Sequence, residues 1–289
     1  MSWRTVIVSS RCKLDLKLGY MVVRGETVQR IFLDEIAMVI IENPAVSMTG
    51  CLLSELIAEK IKVIFCDGKR SPQAELVPYY GCHDTSRKIR AQITWPEPLM
   101  GAVWGRIVAR KIHCQADFLE EVGHSQEAKL LYGYEQQLEF QDATNREGHA
   151  AKVYFNALFG KDFTRTADVP LNAALNYGYG ILLSAFNREV AANGYLTQLG
   201  LHHGNVFNRF NLSSDLMEPF RILIDRAVYE KMPETLDKEI KHRLINVLHS
   251  SIVIGGSSQT VLNGIGIYVR SVFEALCCED PDKIQFWQL

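Results

Sequence analysis

Lys13-Leu14-Asp15-Leu16-Lys17-Leu18 alternates charged and apolar side chains with a period of two, the pattern of a strand with one buried face. Upstream, Trp3-Arg4-Thr5-Val6-Ile7-Val8 is mostly apolar and rich in strand-forming residues. Downstream, Tyr20-Met21-Val22-Val23 and Val28-Gln29-Arg30-Ile31-Phe32-Leu33 flank Arg24-Gly25-Glu26-Thr27, which reads as a hairpin turn. Residues 37–41 and 63–65 are continuous apolar runs, closed by Glu42-Asn43-Pro44 and Cys66-Asp67-Gly68. Between them, residues 48–60 carry helical spacing, with Leu52, Leu53, Leu56 and Ile57 on one side. Several short strands plus one helix are therefore expected over residues 1–75.

The composition shifts between Lys69 and Pro98. Four of the nine prolines (72, 78, 96 and 98) fall there, with Gly81 and the polar run His83-Asp84-Thr85-Ser86. This stretch reads as the interdomain connection, placed at 76–98, with helix beginning near Arg87. From Leu99 onward apolar residues recur every three or four positions, over 103–122, 125–140, 147–159, 173–193, 219–231, 238–248 and 260–277. The expected fold is α+β, a β-rich domain over 1–75 followed by an all-helical domain over 99–289.

Bulk composition narrows the function classes. The 289 residues suffice for two domains, each with a core, and 47% hydrophobic with 22% charged residues is ordinary for a globular protein. A net charge of −2 gives no overall attraction to nucleic acid or membrane, so DNA binding would need locally concentrated charge. The seven cysteines are scattered and form no CxxC pair, which fits neither a disulfide framework nor a zinc site. Ser2, Arg4 and Thr5 interrupt any secretory h-region, and no uncharged run approaches the ~18 residues of a membrane span. A reducing, cytosolic compartment is expected, with no membrane.

Three segments carry candidate chemistry. In a helix over 146–159, Glu147, Ala150, Ala151, Tyr154 and Leu158 share one face, so a carboxylate ends an apolar stripe. A first-turn glutamate favoured by the helix dipole is the plain alternative. Leu201-His202-His203-Gly204 lies in a loop-like stretch; imidazole is a common metal ligand, and either histidine can instead simply bond a turn. In Ser213-Ser214-Asp215-Leu216-Met217-Glu218-Pro219-Phe220-Arg221, Ser213 or Ser214 suits an N-cap. Asp215 and Glu218 face the same way in a helical turn, and Pro219 biases Glu218 away from regular helix. Two carboxylates and an imidazole form a mixed O/N set suited to Mg²⁺ or Mn²⁺, with zinc disfavoured.

Four blocks in order carry a family resemblance: Arg146-Glu147-Gly148-x-Ala150-Ala151-x-x-Tyr154, Leu171-Asn172-x-x-Leu175-Asn176-Tyr177-Gly178-Tyr179-Gly180, Gly200-Leu201-His202-His203, and Asp215-Leu216-Met217-Glu218-Pro219-Phe220-Arg221. Over essentially the whole chain they resemble the CRISPR-associated spacer-acquisition integrases, the "Cas-one" family, in its type II branch. The resemblance implies a metal triad of Glu147, His203 and Glu218, with His203 preferred to His202 because the family's histidine sits about fifteen residues before the acidic ligand. It makes Asp215 either an auxiliary ligand or a carboxylate supporting one, and gives Arg221 a phosphate to hold. It also turns Arg87, Lys88 and Arg90, with Arg106, Arg110 and Lys111, into a phosphate-tracking surface, and Tyr177 and Tyr179 into base-stacking residues or bundle core.

The implied architecture is a β-sandwich-like N-terminal domain used for dimerisation and an all-α-helical catalytic domain. The implied activity is transesterification, in which the 3′-hydroxyl of a captured double-stranded DNA fragment attacks the leader end of a CRISPR repeat. The implied assembly is a homodimer, two of which sandwich a dimer of the small "Cas-two" partner in a hetero-hexamer, with contact to other type II CRISPR proteins. Two rival readings stand beside it: a general branched-DNA endonuclease, and a catalytically silent DNA-binding scaffold.

Overall fold

The structure, a computed structural model, describes residues 4–68, 70, 72–76 and 82–289. Trp3, Lys69, Pro78 and Gly81, used in the sequence reading, lie outside them. The chain divides into two units, Met1–Gly81 and Cys82–Leu289.

The first unit runs β1 (Arg4–Val8), β2 (Lys13–Lys17), β3 (Tyr20–Arg24), β4 (Val28–Phe32), β5 (Ile36–Ile41), β6 (Ser47–Met48), α1 (Gly50–Ala58), β7 (Lys62–Cys66) and β8 (Pro72–Leu76). One sheet has the order β1-β5-β7-β8, the other β4-β3-β2-β6. Within the first, β1, β5 and β7 are parallel, and all six residues of β5 are buried, as a central parallel strand requires. Leu14 of β2, Met21 of β3 and Ile31 of β4 share one core with Val39, Ile41, Val63 and α1's Leu52 and Leu56. Leu18, expected as the third inward residue of the opening alternation, instead stands beyond β2 and is exposed. With φ of 52°, followed by Gly19 at 76°, it makes the two-residue turn into β3.

The composition shift after Lys69 is not all connection. Pro72–Leu76 is an edge strand pairing antiparallel with β7, and its proline occupies the first strand position, where no ladder hydrogen bond is lost.

The second unit contains α2 (Thr85–Ile93), α3 (Glu97–Glu121), α4 (Ser125–Gln136), α5 (Arg146–Phe159), α6 (Pro170–Ala192), α7 (Asn211–Met217), α8 (Arg221–Tyr229), α9 (Lys238–Asn246), β9 (Ser251–Ile254), β10 (Ser257–Thr260) and α10 (Val261–Cys278). It is therefore not all-helical. β9 and β10 form a hairpin whose turn is Gly255-Gly256, both at positive φ, and Ile252 and Ile254 face inward. The 25-residue α3 buries Val103, Trp104, Ile107, Val108 and Ile112. α10 is long and apolar enough to cross a membrane, but 67% of it is buried within the unit, as befits a core helix.

Candidate metal centre

α5 is built to present Glu147 in its first turn. Two orphan N–H groups there, of Arg146 and Glu147, donate to the carboxylate of Asp142 at 2.7 and 2.9 Å, and Gly148 N–H donates to Asn145 Oδ1 at 3.3 Å. Gln141, Asp142 and Asn145 all hold positive φ (56°, 53° and 52°), so a strained turn places the caps. Below Glu147 on the same face, Ala150, Tyr154 and Leu158 are buried, as the stripe predicts, while Ala151 is only half-buried.

Asp215 organises the histidine loop. It is 0% exposed. Its Oδ2 accepts the backbone N–H of Leu201 (2.6 Å) and His202 (3.1 Å), and its Oδ1 accepts that of His203 (3.3 Å) and the His203 ring Nδ1. A carboxylate only accepts, so Nδ1 carries a proton, and in the neutral ring Nε2 keeps its lone pair. With four donors on its two oxygens, Asp215 has no room to ligate as well; it orients His203. That hydrogen bond raises the His203 pKa against the opposing effect of burial, and the charges of Glu218 and Glu147 raise it further. Gly200 permits the closure, since a Cβ there would stand 2.4 Å from the His203 carbonyl oxygen and 2.7 Å from Asp215 Oδ2. His202 is used differently, stacked flat on Trp104 with centroids 4.6 Å apart.

Glu218 sits where the helix is interrupted. Neither Ser213 nor Ser214 is an N-cap, because α7 begins at Asn211 and both lie inside it. Pro219 cannot continue the ladder of α7, and residues Glu218–Phe220 tighten into a single 3₁₀ turn before α8. The turn leaves Glu218 4% exposed, its Oε1 accepting from Arg221 Nε at 2.9 Å. Its buried Oε2 lies 2.5 Å from Lys111 Nζ, paired with the ammonium. The same Nζ lies 2.5 Å from Glu147 Oε1. Burial pushes the Glu218 carboxyl upward, but Arg221 and Lys111 outweigh it and hold the group well below the usual carboxylate range. Burial likewise opposes the Lys111 charge, and Glu218 and Glu147 overcome it.

Glu147 and Glu218, 71 positions apart in the sequence, thus converge on one cationic group beside His203. The Lys111 ammonium supplies there the positive charge that a divalent ion would supply. Two carboxylates gathered on one cation, and an imidazole whose Nδ1 is held by Asp215 so that its neutral form offers Nε2, are a donor set that fits Mg²⁺ or Mn²⁺.

Other expected site residues are placed differently. Tyr177 and Tyr179 lie on the buried side of α6, so neither ring is available to stack on bases. Tyr179 donates its hydroxyl to Asp225 and carries the Arg221 guanidinium over its ring at 4.7 Å. Arg106 and Arg110 share a face of α3, and both bond to the C-terminal segment. Arg106 pairs with Asp282, and Arg110 donates to the Trp287 carbonyl at 2.5 Å. Arg110 therefore anchors the tail through one of its guanidinium N–H groups. Arg87 is exposed and, with the half-buried Lys88, pairs with Asp84, while Arg90 is exposed. Lys111, expected on this basic surface, is instead buried between Glu147 and Glu218. Its place among Trp104, Ile107, Val108 and Ile112 was the signal that it needed an acidic partner.

Among the described residues, Cys82, His83 and Asp84 bring three ligand atoms within 4.8 Å of one another. The Asp84 carboxylate there is already committed to the Cys82 thiol (2.8 Å), Arg87 (2.7 Å) and Lys88 (3.1 Å).

Fold and site define a mixed α+β protein that gathers two carboxylates on one cation, with an oriented imidazole in their electrostatic reach. The family profile described as CRISPR associated protein Cas1 matches residues 5–239, and the chain belongs to that family. It is 36% identical over 278 residues to the CRISPR-associated endonuclease Cas1 of Neisseria meningitidis serogroup C (strain 8013), covering 94% of this chain and 91% of that protein. In fold it resembles a casposase bound to integration product (TM-score 0.77, 16% identity, 97% of this chain and 92% of that one). It also resembles a chain of a Cas6-RT-Cas1–Cas2 complex (TM-score 0.77, 19% identity, 99% of this chain and 36% of that longer one).

Proposed function

We propose that this protein is a divalent-metal-dependent DNA integrase that inserts captured fragments as new spacers into a CRISPR array. The observation that carries the reading is the convergence of Glu147 Oε1 and Glu218 Oε2 on one cation position, 2.5 Å each, beside His203. Glu147, His203 and Glu218 hold the Mg²⁺ or Mn²⁺, which when bound supplies Lewis acidity at a phosphoryl oxygen. Asp215 keeps the His203 proton on Nδ1. Arg221 braces Glu218 through Nε and directs the rest of its guanidinium at a phosphate. In the transfer, the 3′-oxygen of the fragment bonds to phosphorus at the leader–repeat junction and releases its proton to solvent. The bond from that phosphorus to the leader's 3′-oxygen breaks, and the departing oxygen takes a proton from solvent to become the leader's 3′-hydroxyl.

Arg87, Lys88 and Arg90 remain the DNA-tracking residues of this reading, with Arg106 if its exposed pair with Asp282 exchanges for phosphate. The β-rich unit serves dimerisation, since sheet edges need cover. Two such dimers enclose a dimer of the small Cas-two partner, in a prokaryotic cytoplasm with other type II CRISPR proteins. Hydrolysis at the same site, with water as nucleophile, is the second reading, favoured by the endonuclease name of the Neisseria relative. A disintegration assay on branched DNA separates them. Strand transfer is expected with Mg²⁺ or Mn²⁺ and none in EDTA; cleavage without resealing favours the second reading, and activity in EDTA overturns both.

A further inference from the structure

The Asp225 carboxylate on α8 is 1% exposed and has no part in the chemistry above. Burying a carboxylate is expensive unless it is fully engaged. Its Oδ1 accepts the hydroxyl of Tyr179 from α6, and its Oδ2 accepts that of Tyr154 from α5 at 3.2 Å. One side chain thus ties three helices together. The Tyr179 ring carries the Arg221 guanidinium on its face, 4.7 Å from the centroid, and Arg221 Nε donates to Glu218 at 2.9 Å. Tyr154 lies seven residues after Glu147, two turns along the same face of α5.

The geometry points to Asp225 as a positioning residue for the metal centre. It acts on Glu218 through Tyr179 and Arg221, and on Glu147 through Tyr154. The inference rests on the metal-site reading. A charged acceptor holds a phenol more tightly than a neutral one, so the Tyr179 ring is fixed and the guanidinium above it points at one oxygen of Glu218. The helices are already close-packed at this point without it. A Cβ on Gly178 would stand 2.4 Å from Ile224 Cγ2, so α6 and α8 are held together by contact, and the carboxylate adds direction. Burial also raises the Asp225 pKa to about 6 in spite of Tyr179, Arg221 and Tyr154. A group retained under that penalty is one whose hydrogen bonds are used.

The test is Mn²⁺ affinity of the full-length protein, read by loss of the free-ion EPR signal, for Asp225→Asn, Tyr179→Phe and the double variant. Each single change is expected to weaken Mn²⁺ binding about tenfold or more. The double variant should bind no more weakly than the worse single, because both act along one path. A merely structural role would move the metal-free thermal midpoint and leave Mn²⁺ affinity unchanged. If Asp225→Asn does not fold, Tyr179→Phe removes one oxygen only and reads the same path. Unchanged affinity in the variants, or effects that multiply in the double, would overturn the positioning role while leaving the metal site standing. A native protein that binds no Mn²⁺ would overturn the metal site itself, and the inference with it.

Discussion

Lys111→Met tests the electrostatics of the site without touching a proposed ligand. Methionine keeps the length and apolar stem of the side chain and deletes only the ammonium. Glu147 Oε1 and Glu218 Oε2 each lie 2.5 Å from Nζ, so they are at most about 5 Å apart (2.5 + 2.5). At an effective dielectric of about 20, two unit charges at that distance repel by roughly 3 kcal/mol. Removing one partner from a buried ion pair generally costs about 3–5 kcal/mol, so both routes give a similar figure. For a unit of this size, 1 kcal/mol shifts the midpoint by about 2–4 °C, which gives a fall of roughly 6–12 °C in EDTA. Manganese should reverse much of the loss, because a divalent cation can take the place the ammonium left. An ion at a hundred times its Kd contributes about 2.7 kcal/mol. Paired thermal melts of native and variant protein, in EDTA and in saturating Mn²⁺, make the measurement. A fall of less than about 2 °C in EDTA, or a Mn²⁺ upshift no larger in the variant than in the native protein, would refute the reasoning.

Glu147→Gln, His203→Ala and Glu218→Gln should each lower strand transfer by at least about 100-fold. DNA affinity and its salt dependence, measured across a salt series, should stay nearly unchanged, because the Lys and Arg contacts are intact. Arg110→Glu should lower stability by about 1–3 kcal/mol through loss of its bond to the Trp287 carbonyl. Its DNA affinity should remain, and the reverse pattern would restore a phosphate-binding role. Asp225, facing Tyr154, Tyr179, Arg221 and Arg165, has a folded pKa of about 6, above its ordinary 3.8. The stabilisation is therefore full below about pH 4 and is lost as pH rises through 6. Asp225→Asn lacks that dependence, so denaturant titrations should show its stability relative to the native protein improving from pH 4 to pH 8, by up to about 3 kcal/mol.

Local patterns in the sequence carried most of the fold and part of the site. Glu147 was legible because a carboxylate ended an apolar helical stripe, and the Glu218-Pro219 pair announced an interrupted helix. The sequence left Asp215 open between a ligand and a carboxylate that supports one. In a local pattern an acidic residue three positions before another looks like a second ligand. Only the tertiary fold brings the N–H groups of residues 201–203 onto its oxygens. Lys111 was hidden by its neighbours Arg106 and Arg110, although it alone of the three shares the buried face of α3. Those two arginines do share a face, but their partners, Asp282 and Trp287, come from the far end of the chain. The β9–β10 hairpin had its signals in Ile252, Ile254 and Gly255-Gly256; four-residue strands between two helices are too short for periodicity to stand out.

The most direct test of the metal centre is an anomalous-difference map from a crystal of this protein grown with Mn²⁺. The account predicts a peak bounded by Glu147, His203 and Glu218, with Asp215 behind the imidazole and the Lys111 ammonium displaced from between the carboxylates. A peak at Cys82, His83 and Asp84 with none at the predicted position would contradict it.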